Sequence, residues 1–536
     1  MFRFSPLLIV LLSLSISDGA MVRAQQNAVP LDRDIYTDVE RTAAARNSRI
    51  HTGLKPIIES RADLSDVLGY RIDTSKYYFW YTEKLFRDHL LSVKGEDYKL
   101  ALDLLFRFEM GMDFGDQTAY ADTVRFHHNT RGIRIKGDIG KRFSFETMFH
   151  ESQTSTPQYL FRRALNEGVI SGQGRIKRDG WKRLDFGWSR SNLSFAAAKW
   201  ANIQLGHGVH FVGYGYRSML LSDHAVGSPY IQFSFNTTNR LFQYTTWHTK
   251  LQHGALQADR LPTGSPGETL FYWMRARFHH LSLSLGRFDL GLFEATIFQN
   301  IDENGVLEFD PMELNPVIGI NTITNGFDGP YKILIGGDLR VKVTDKAFVY
   351  GQFGTDDPAQ QRYAWQAGFR IFDIIRKDIH LQVEYNTSEP YMYQNQPARL
   401  AYVHAGLPLA HPMGSYFSEL VAIADIGYER WRLQTKVNYG TYNLDPFLED
   451  GSIDPDSNIG SDLDKPDNIR TPEKAPVVRQ HTYLDVNLSY LFNPKINMRA
   501  MAGVARRDLP GANDAQQSTY VYVALSTGLF NRYYDY

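Results

Sequence analysis

Residues 99–110 read KLALDLLFRFEM, and the fold follows from how they alternate. The even positions are Leu100, Leu102, Leu104, Phe106, Phe108 and Met110, while the odd positions include Lys99, Asp103, Arg107 and Glu109. Side chains on a β-strand point to opposite faces with a period of two, so one face is oily and the other carries charge. A strand in a soluble sandwich also alternates, but its polar face is usually built from Thr and Ser. A dense charge ladder opposite so apolar a face suits a strand with lipid on one side and a wet lumen on the other.

The same pattern recurs at residues 362–371, 379–386, 431–440 and 482–492. Each run is close to the ~9–11 residues that cross a bilayer at a tilt. Short turns are expected at Gly140-Lys141-Arg142, Asp179-Gly180, Phe288-Asp289 and Thr344-Asp345-Lys346. Long outer loops are expected at 113–129, 153–174, 254–268, 300–316 and 445–479. At roughly two dozen residues per strand plus connection, the chain holds ~16–20 strands, and bacterial barrels use even numbers. The end, residues 520–536 (YVYVALSTGLFNRYYDY), reads as a last strand with a terminal aromatic.

Composition agrees with this reading. The chain has 536 residues with a formal net charge of −1, which leaves no field for nucleic acid. Aromatic residues make up 13%, enough for two interfacial girdles. There is no cysteine, so disulfides, thiolate metal sites and lipoprotein anchors are excluded. Residues 1–24 read as an export signal. Arg3 is the positive flank, residues 7–16 (LLIVLLSLSI) form the apolar core, and cleavage is expected after Ala24. Residues 25–97 are expected to form a partly helical periplasmic plug, with helices at 36–45 and 78–93. In the second of these, Trp80, Leu85, Leu90 and Leu91 would share one face. Residues 98–536 are then the all-β transmembrane outer-membrane barrel.

Candidates for chemistry are few. Gly206, Gly208, Gly213 and Gly215 lack the Gly-Lys-Ser/Thr of a phosphate loop, so they read as a wall strand that bends inward or a constriction. His207, His210, His404 and His411 have no zinc-binding helical context and read as lumen histidines. Glu294, Glu384 and Glu419 are carboxylates of the kind that cleave glycosides, but nothing in the sequence pairs them. No catalytic residue, metal or cofactor is expected. The acidic stretch 445–467 imitates a calcium loop at Asp454, Asp456, Asn458 and Asp462. Its Gly460 falls one place late and no Glu stands at the twelfth position, so a hydrated outer loop is expected. Tyr159, Phe161, Tyr442 and Phe447 are the aromatic candidates for stacking on sugar rings.

Residues 206–232 (GHGVHFVGYGYRSMLLSDHAVGSPYIQ) resemble the signature of Wzi-type capsule-assembly outer-membrane proteins, above all a Bacteroidota branch that includes gliding-motility-associated barrels. The residues that carry the likeness are Gly206, Gly208, Gly213, Gly215, Ser222 and Pro229, then Glu294 with Asn315 and Pro316, Glu384 with Asn386 and Tyr391, and His404, His411, Pro412, Gly414 and Glu419. Met413, Ser415, Tyr416 and Ser418 depart from the family tendency. The resemblance implies an 18-stranded barrel with a helical periplasmic plug that holds polysaccharide at the cell surface. Outer-membrane lipid, lipopolysaccharide and surface polysaccharide are the implied partners. The alternatives are an accessory subunit of a secretion or gliding machine, and a plugged pore.

Overall fold

The computed structural model describes residues 26–62, 78–178, 182–256, 271–302, 305–446, 454, 456–463, 470–510, 517–528 and 530–536. The export signal with its cleavage after Ala24, the Asp179-Gly180 turn and Phe447 lie outside them.

Eighteen antiparallel strands close into one barrel. They are β1 (Tyr98–Asp113), β2 (Phe126–Ile139), β3 (Phe143–Ser155), β4 (Leu184–Ala198), β5 (Ala201–Gly208), β6 (Ser228–Asn236), β7 (Phe242–Leu256), β8 (Phe271–Leu285) and β9 (Phe288–Gln299), followed by β10 (Lys332–Thr344), β11 (Ala347–Asp357), β12 (Arg362–Ile371), β13 (Ile379–Ser388), β14 (Phe417–Tyr428), β15 (Trp431–Leu444), β16 (Val477–Asn493), β17 (Met498–Asp508) and β18 (Ser518–Thr527). Each strand pairs with the next in sequence, and β18 returns to β1 with Tyr520 opposite Asp113 and Ser526 opposite Arg107. Closure leaves no free sheet edge, which is the condition for a sheet to sit in hydrocarbon.

The alternation in β1 is realised as read. Leu104 and Met110 are 53% and 71% exposed on the outside, whereas Asp103 is 1% exposed and faces the lumen. Exposed aromatics ring the short-turn end at Tyr98, Trp200, Phe288, Tyr428 and Trp431. One turn is shifted from its expected place. The chain reverses at Gly286-Arg287, where Gly286 has φ +70°, and Phe288-Asp289 already belong to β9. Asp289 points inward and accepts from Arg340 Nε at 2.8 Å.

The N-terminal segment divides in two. Helix α1 (Arg33–Ala43) begins at Asp32, whose carboxylate accepts from the N–H groups of Asp34 and Ile35. It lies in the lumen, where Glu40 accepts from Arg340 Nη1 at 2.7 Å and Arg432 pairs with Asp34 at 2.6 Å. Leu54–Lys55 then pair with Phe211–Val212. Helix α2 (Trp80–Phe86) forms within the expected 78–93, but it buries none of its residues. Phe79, Trp80, Tyr81 and Leu85 are more than half or half exposed, and Asn493 Nδ2 donates to the carbonyls of Lys84 and Asp88. Leu91 belongs not to that helix but to Leu91–Lys94, which pairs with the start of β1. Trp80, Leu85 and Leu91 therefore stand on the outside of the barrel, next to its aromatic girdle. The reason is chemical: their apolar side chains extend the lipid-facing belt, while the lumen beside β1 is charged.

The expected terminal strand is also corrected. β18 ends at Thr527, and the chain turns back into the lumen. Asn531 and Tyr533 reach Asp223, and Tyr536 reaches Arg507. Asn531, Arg532 and Asp535 would otherwise have to continue a strand in the wall, where only one of its faces is polar.

Replacing Leu104 with Arg places a charge on the lipid face near mid-height. The expected cost is about 2–4 kcal/mol in a lipid bilayer folding titration. A loss under about 0.5 kcal/mol, the size of an ordinary surface change, would mean Leu104 does not face hydrocarbon.

Candidate functional site

Three chain segments enter the lumen from the long-loop end or the last strand, and two of them, with the wall residue Glu419, meet on Arg217, while the third reaches Glu419 through His411. Residues 209–227 leave β5 and fold inward, so that Phe211, Val212, Tyr214, Tyr216, Met219, Leu220 and Leu221 are all buried. This settles the glycine-rich stretch as an inward fold rather than a phosphate loop. Gly213 has φ +115°, and a Cβ there would stand 2.2 Å from Gln352 Nε2. Gly215 is similarly close to Gln366 and Glu384. Residues 389–416, the connection from β13 to β14, also fold in and pack Tyr393, Tyr402 and Leu407 against Met219, Leu220 and Trp247 in one apolar cluster. The tail 530–536 completes the set.

Arg217 is fully buried and bidentate to Glu419, with Nε to Oε2 at 3.1 Å and Nη2 to Oε1 at 2.9 Å. Its Nη1 donates to the Asp535 carboxylate at 3.3 Å and its Nη2 to the Asp535 carbonyl at 2.9 Å. Glu419 also accepts from His411 Nε2 (2.8 Å), Asn438 (3.0 Å) and Asn386 (3.3 Å). Asp535 further accepts from the Tyr216 hydroxyl, and Lys436 Nζ lies 2.9 Å from its carboxylate. Glu384 accepts from the N–H groups of Tyr216 (2.7 Å) and Arg217 (2.9 Å) and from the Tyr350 hydroxyl (2.8 Å). His411 stacks on Phe417 with centroids 4.2 Å apart, and its Nδ1 accepts from Met413 N–H, which leaves the proton on Nε2 for Glu419.

Burial alone would raise the Asp535 carboxyl. The charges of Arg217, Lys436 and Arg33 hold it well below the ordinary carboxylate value of 3.8. Burial holds His411 below the ordinary imidazole range, against the pull of Glu419. Glu384 also accepts from Asn386 Nδ2 at 3.1 Å, so at least four donors meet each of Glu384 and Glu419. Glu294 is elsewhere altogether. It points out of the barrel wall and accepts from Gly319 N–H, Thr322 N–H and the Thr322 hydroxyl at the start of helix α4 (Ile320–Asn325).

The residues that carried the family likeness therefore gather mainly in the lumen. Ser222 hydrogen-bonds Leu409 and Ala410, His404 accepts from Gln252 N–H, and the Pro412 carbonyl accepts from Arg163. Gly414 has φ +71° and Tyr391 has φ +64°. Gly206 and Pro229 lie in neighbouring wall strands, with Gly208 opposite Ser228. Asn315 and Pro316 lie outside with Glu294, where the Pro316 carbonyl accepts from Tyr244. Arg217 was not singled out by sequence. Its partner Glu419 lies 202 residues away, and only its position inside an apolar, glycine-rich stretch hinted at burial.

The sugar-stacking candidates are corrected. Helix α3 (Gln158–Glu167) forms inside the expected outer loop and turns Tyr159 and Phe161 into the structure, where they are 8% and 9% exposed. The Tyr159 hydroxyl donates to the Tyr534 carbonyl, and Tyr442 packs on the lumen core and His481. The acidic stretch is partly internal as well. Ser457, Asn458, Ile459 and Leu463 are buried, and Tyr391 donates to the Asn458 carbonyl. Asp454 pairs with Lys474 at 2.8 Å, and Asn458 Oδ1 caps Gly460 N–H. Among the described residues, Asp454, Asp456 and Asp462 form no close carboxylate cluster. The close carboxylate and imidazole group is Asp373, Asp378 and His380, where Arg41 pairs with both carboxylates.

On the far side of the lumen, between α1, the tail and β1, β15, β17 and β18, polar space is left. A cavity of about 280 Å³ meets a second of about 130 Å³ where Arg107, His128, Lys436, Asp485, Tyr522 and Arg532 line both.

No family model matches the chain, and no curated protein matches it. Solved structures do match in fold. One is Wzi of Escherichia coli, described as an outer-membrane protein involved in group 1 capsule assembly and a carbohydrate-binding β-barrel. It has a TM-score of 0.54 at 13% identity and covers 93% of this chain and 99% of its own. OprD of Pseudomonas aeruginosa has a TM-score of 0.41 at 10% identity, over 82% of this chain and 98% of its own. OccAB3 of Acinetobacter baumannii has 0.43 at 10% identity, over 80% and 98%. The chain is thus a closed barrel of the outer-membrane type, with the Wzi fold.

Replacing Arg217 with Met leaves Glu419 and Asp535 buried without their shared counter-charge. The expected loss is about 3–5 kcal/mol, read from the heat-modifiable band shift on gels. Because the Asp535 carboxyl is depressed in the folded state, its contribution is full above pH 3.8 and fades as pH falls below that value. Acid should therefore destabilise the parent more than an Asp535→Asn variant; equal acid sensitivity would remove Asp535 from the account.

Proposed function

We propose that this chain is a non-enzymatic outer-membrane barrel that holds surface polysaccharide at its outer mouth. In this reading residues 1–24 are removed at export, the short turns and α1 face the periplasm, and the long connections face outward. Long outer loops and short inner turns are the habit of such barrels. The observation that carries the reading is the filling of the lumen. Residues 209–227 and the tail are ion-paired to the wall and to each other, and residues 389–416 pack against them, so what remains for function is the outer surface rather than transport. The donors that meet Glu384 and Glu419 support the absence of glycosidic chemistry. The fold shared with Wzi supports polysaccharide as the ligand class.

A second reading, an accessory subunit of a secretion or gliding machine, draws on the exposed apolar side chains of Phe79, Trp80, Tyr81 and Leu85 at the short-turn end. The two readings part in one experiment. The folded barrel in mild detergent is applied to an array of capsular and lipopolysaccharide glycans. Specific retention on an acidic or neutral capsule glycan is expected. Silence across the array, with a stoichiometric protein partner in the same detergent extract, would favour the subunit reading instead.

A further inference from the structure

One stretch of outer wall breaks the apolar rule. On β7, β8 and β9 the outward face begins with Phe242, Leu285, Phe288, Leu290 and Leu292, all exposed. Higher up, the same face carries His248 and Lys250 on β7 and Arg275, Arg277 and His279 on β8. Lys250 stands directly opposite Arg275, and His248 opposite Arg277. Like charges facing each other across a strand pair are destabilising unless an anion sits between them. Among the described residues, Glu313 brings a carboxylate into reach, its Oε1 3.0 Å from Arg275 Nε. Glu294 is committed to α4. Lys250 Nζ rests over the Trp273 ring at 3.8 Å. Arg277 is 4% exposed, and its Nε, like His248 Nδ1, has no hydrogen-bond partner among the described residues.

The connection from β9 to β10 folds over this wall as a flap. Tyr244 donates to the Pro316 carbonyl at 2.6 Å, Asn321 to Thr296 at 3.1 Å and Arg275 to the Glu308 carbonyl at 3.4 Å. The flap's other side is apolar. Leu314, Val317 and Ile323 are 61%, 48% and 85% exposed. Counting up β8 from Leu285, a tilted strand lifts Arg277 about 20 Å and Arg275 about 25 Å above the short turn. That is the top of an apolar band ~25 Å tall, where headgroups begin.

We propose that this face is a seat for a phosphate-bearing lipid of the surrounding outer leaflet, its lipid A phosphates against Lys250 and Arg275, with the buried charge of Arg277 beneath them, and its acyl chains against Leu314, Val317 and Ile323. The seat needs the long-connection end to face outward, but it is independent of polysaccharide binding at the mouth. Charge complementarity selects a phosphate: the Arg275 guanidinium and the Lys250 ammonium, from adjacent strands, offer it donors, and the Arg277 charge behind them adds to the attraction. The adjoining apolar flap selects a lipid over a soluble anion.

The test is native mass spectrometry of the purified barrel in detergent with bisphosphorylated lipid A, with the same lipid after phosphatase treatment, and with inorganic pyrophosphate. Lipid A is expected to bind at least about tenfold tighter than the dephosphorylated lipid. The exposed single change Lys250→Gln is expected to weaken it severalfold. The triple variant Lys250→Gln, Arg275→Gln, Arg277→Gln is expected to lose at least about tenfold while the folded band persists. Arg287→Gln with Lys346→Gln, at the short-turn end, should change nothing. Equal binding of the dephosphorylated lipid, or indifference to Lys250→Gln and the triple change alike, would overturn the proposal. So would pyrophosphate binding as tightly as lipid A, which would mark a soluble-anion site. Capture of a protein that Ile323→Asp abolishes, with lipid A binding unaffected by that change, would assign the flap to a protein partner and overturn the lipid seat as well.

Discussion

The buried contact of Arg217 with Glu419 and Asp535 is the constraint on which the interior depends. A guanidinium fully removed from water is costly unless its charge and its N–H groups are all met. Here one arginine joins an inward connection (209–227), a wall strand (β14) and the tail (530–536). No two of these three are neighbours in sequence. Remove the arginine and two carboxylates lose their common partner, while Lys436, Asn438 and His411 are left to compensate. The same logic repeats lower in the lumen, where Arg340 gathers Glu40 of α1 and Asp289 of β9. The barrel wall is held by its ladder of backbone hydrogen bonds, whereas its contents are held by buried charge.

This division explains what the sequence made legible. A wall strand is a local object. Its oily and charged faces alternate over a dozen residues, so β1, β12, β13 and β15 were readable one at a time, and closure followed from the absence of any way to leave an edge in lipid. The lumen is assembled from distant pieces, and no window of sequence contains both Arg217 and Glu419. The glycines at 213 and 215 signalled close approach but not to what; the wall residues Gln352, Gln366 and Glu384 occupy the space a side chain would need.

The misread segments fail for particular reasons. The run 520–536 continues an aromatic alternation past Thr527, and its charged residues Arg532 and Asp535 were the signal that it leaves the wall. Tyr159 and Phe161 sit three and five residues past Thr156, in a stretch expected to be an outer loop; it forms helix α3 instead, which buries both rings. Trp80 and Leu85 share a helix face within the expected plug segment, yet an apolar face beside a barrel finds lipid as readily as a lumen. In each case the local pattern was right about polarity and silent about which solvent, lipid, water or protein, would receive it.

The central claim is that ion-paired segments close the lumen. Ion current through the purified full barrel in a planar bilayer tests it most directly. The account expects a silent membrane from the parent protein and stepwise conductance once Arg217→Met frees the inward connection and the tail. Steady, ohmic current through the unaltered barrel, unchanged by that substitution, would contradict it.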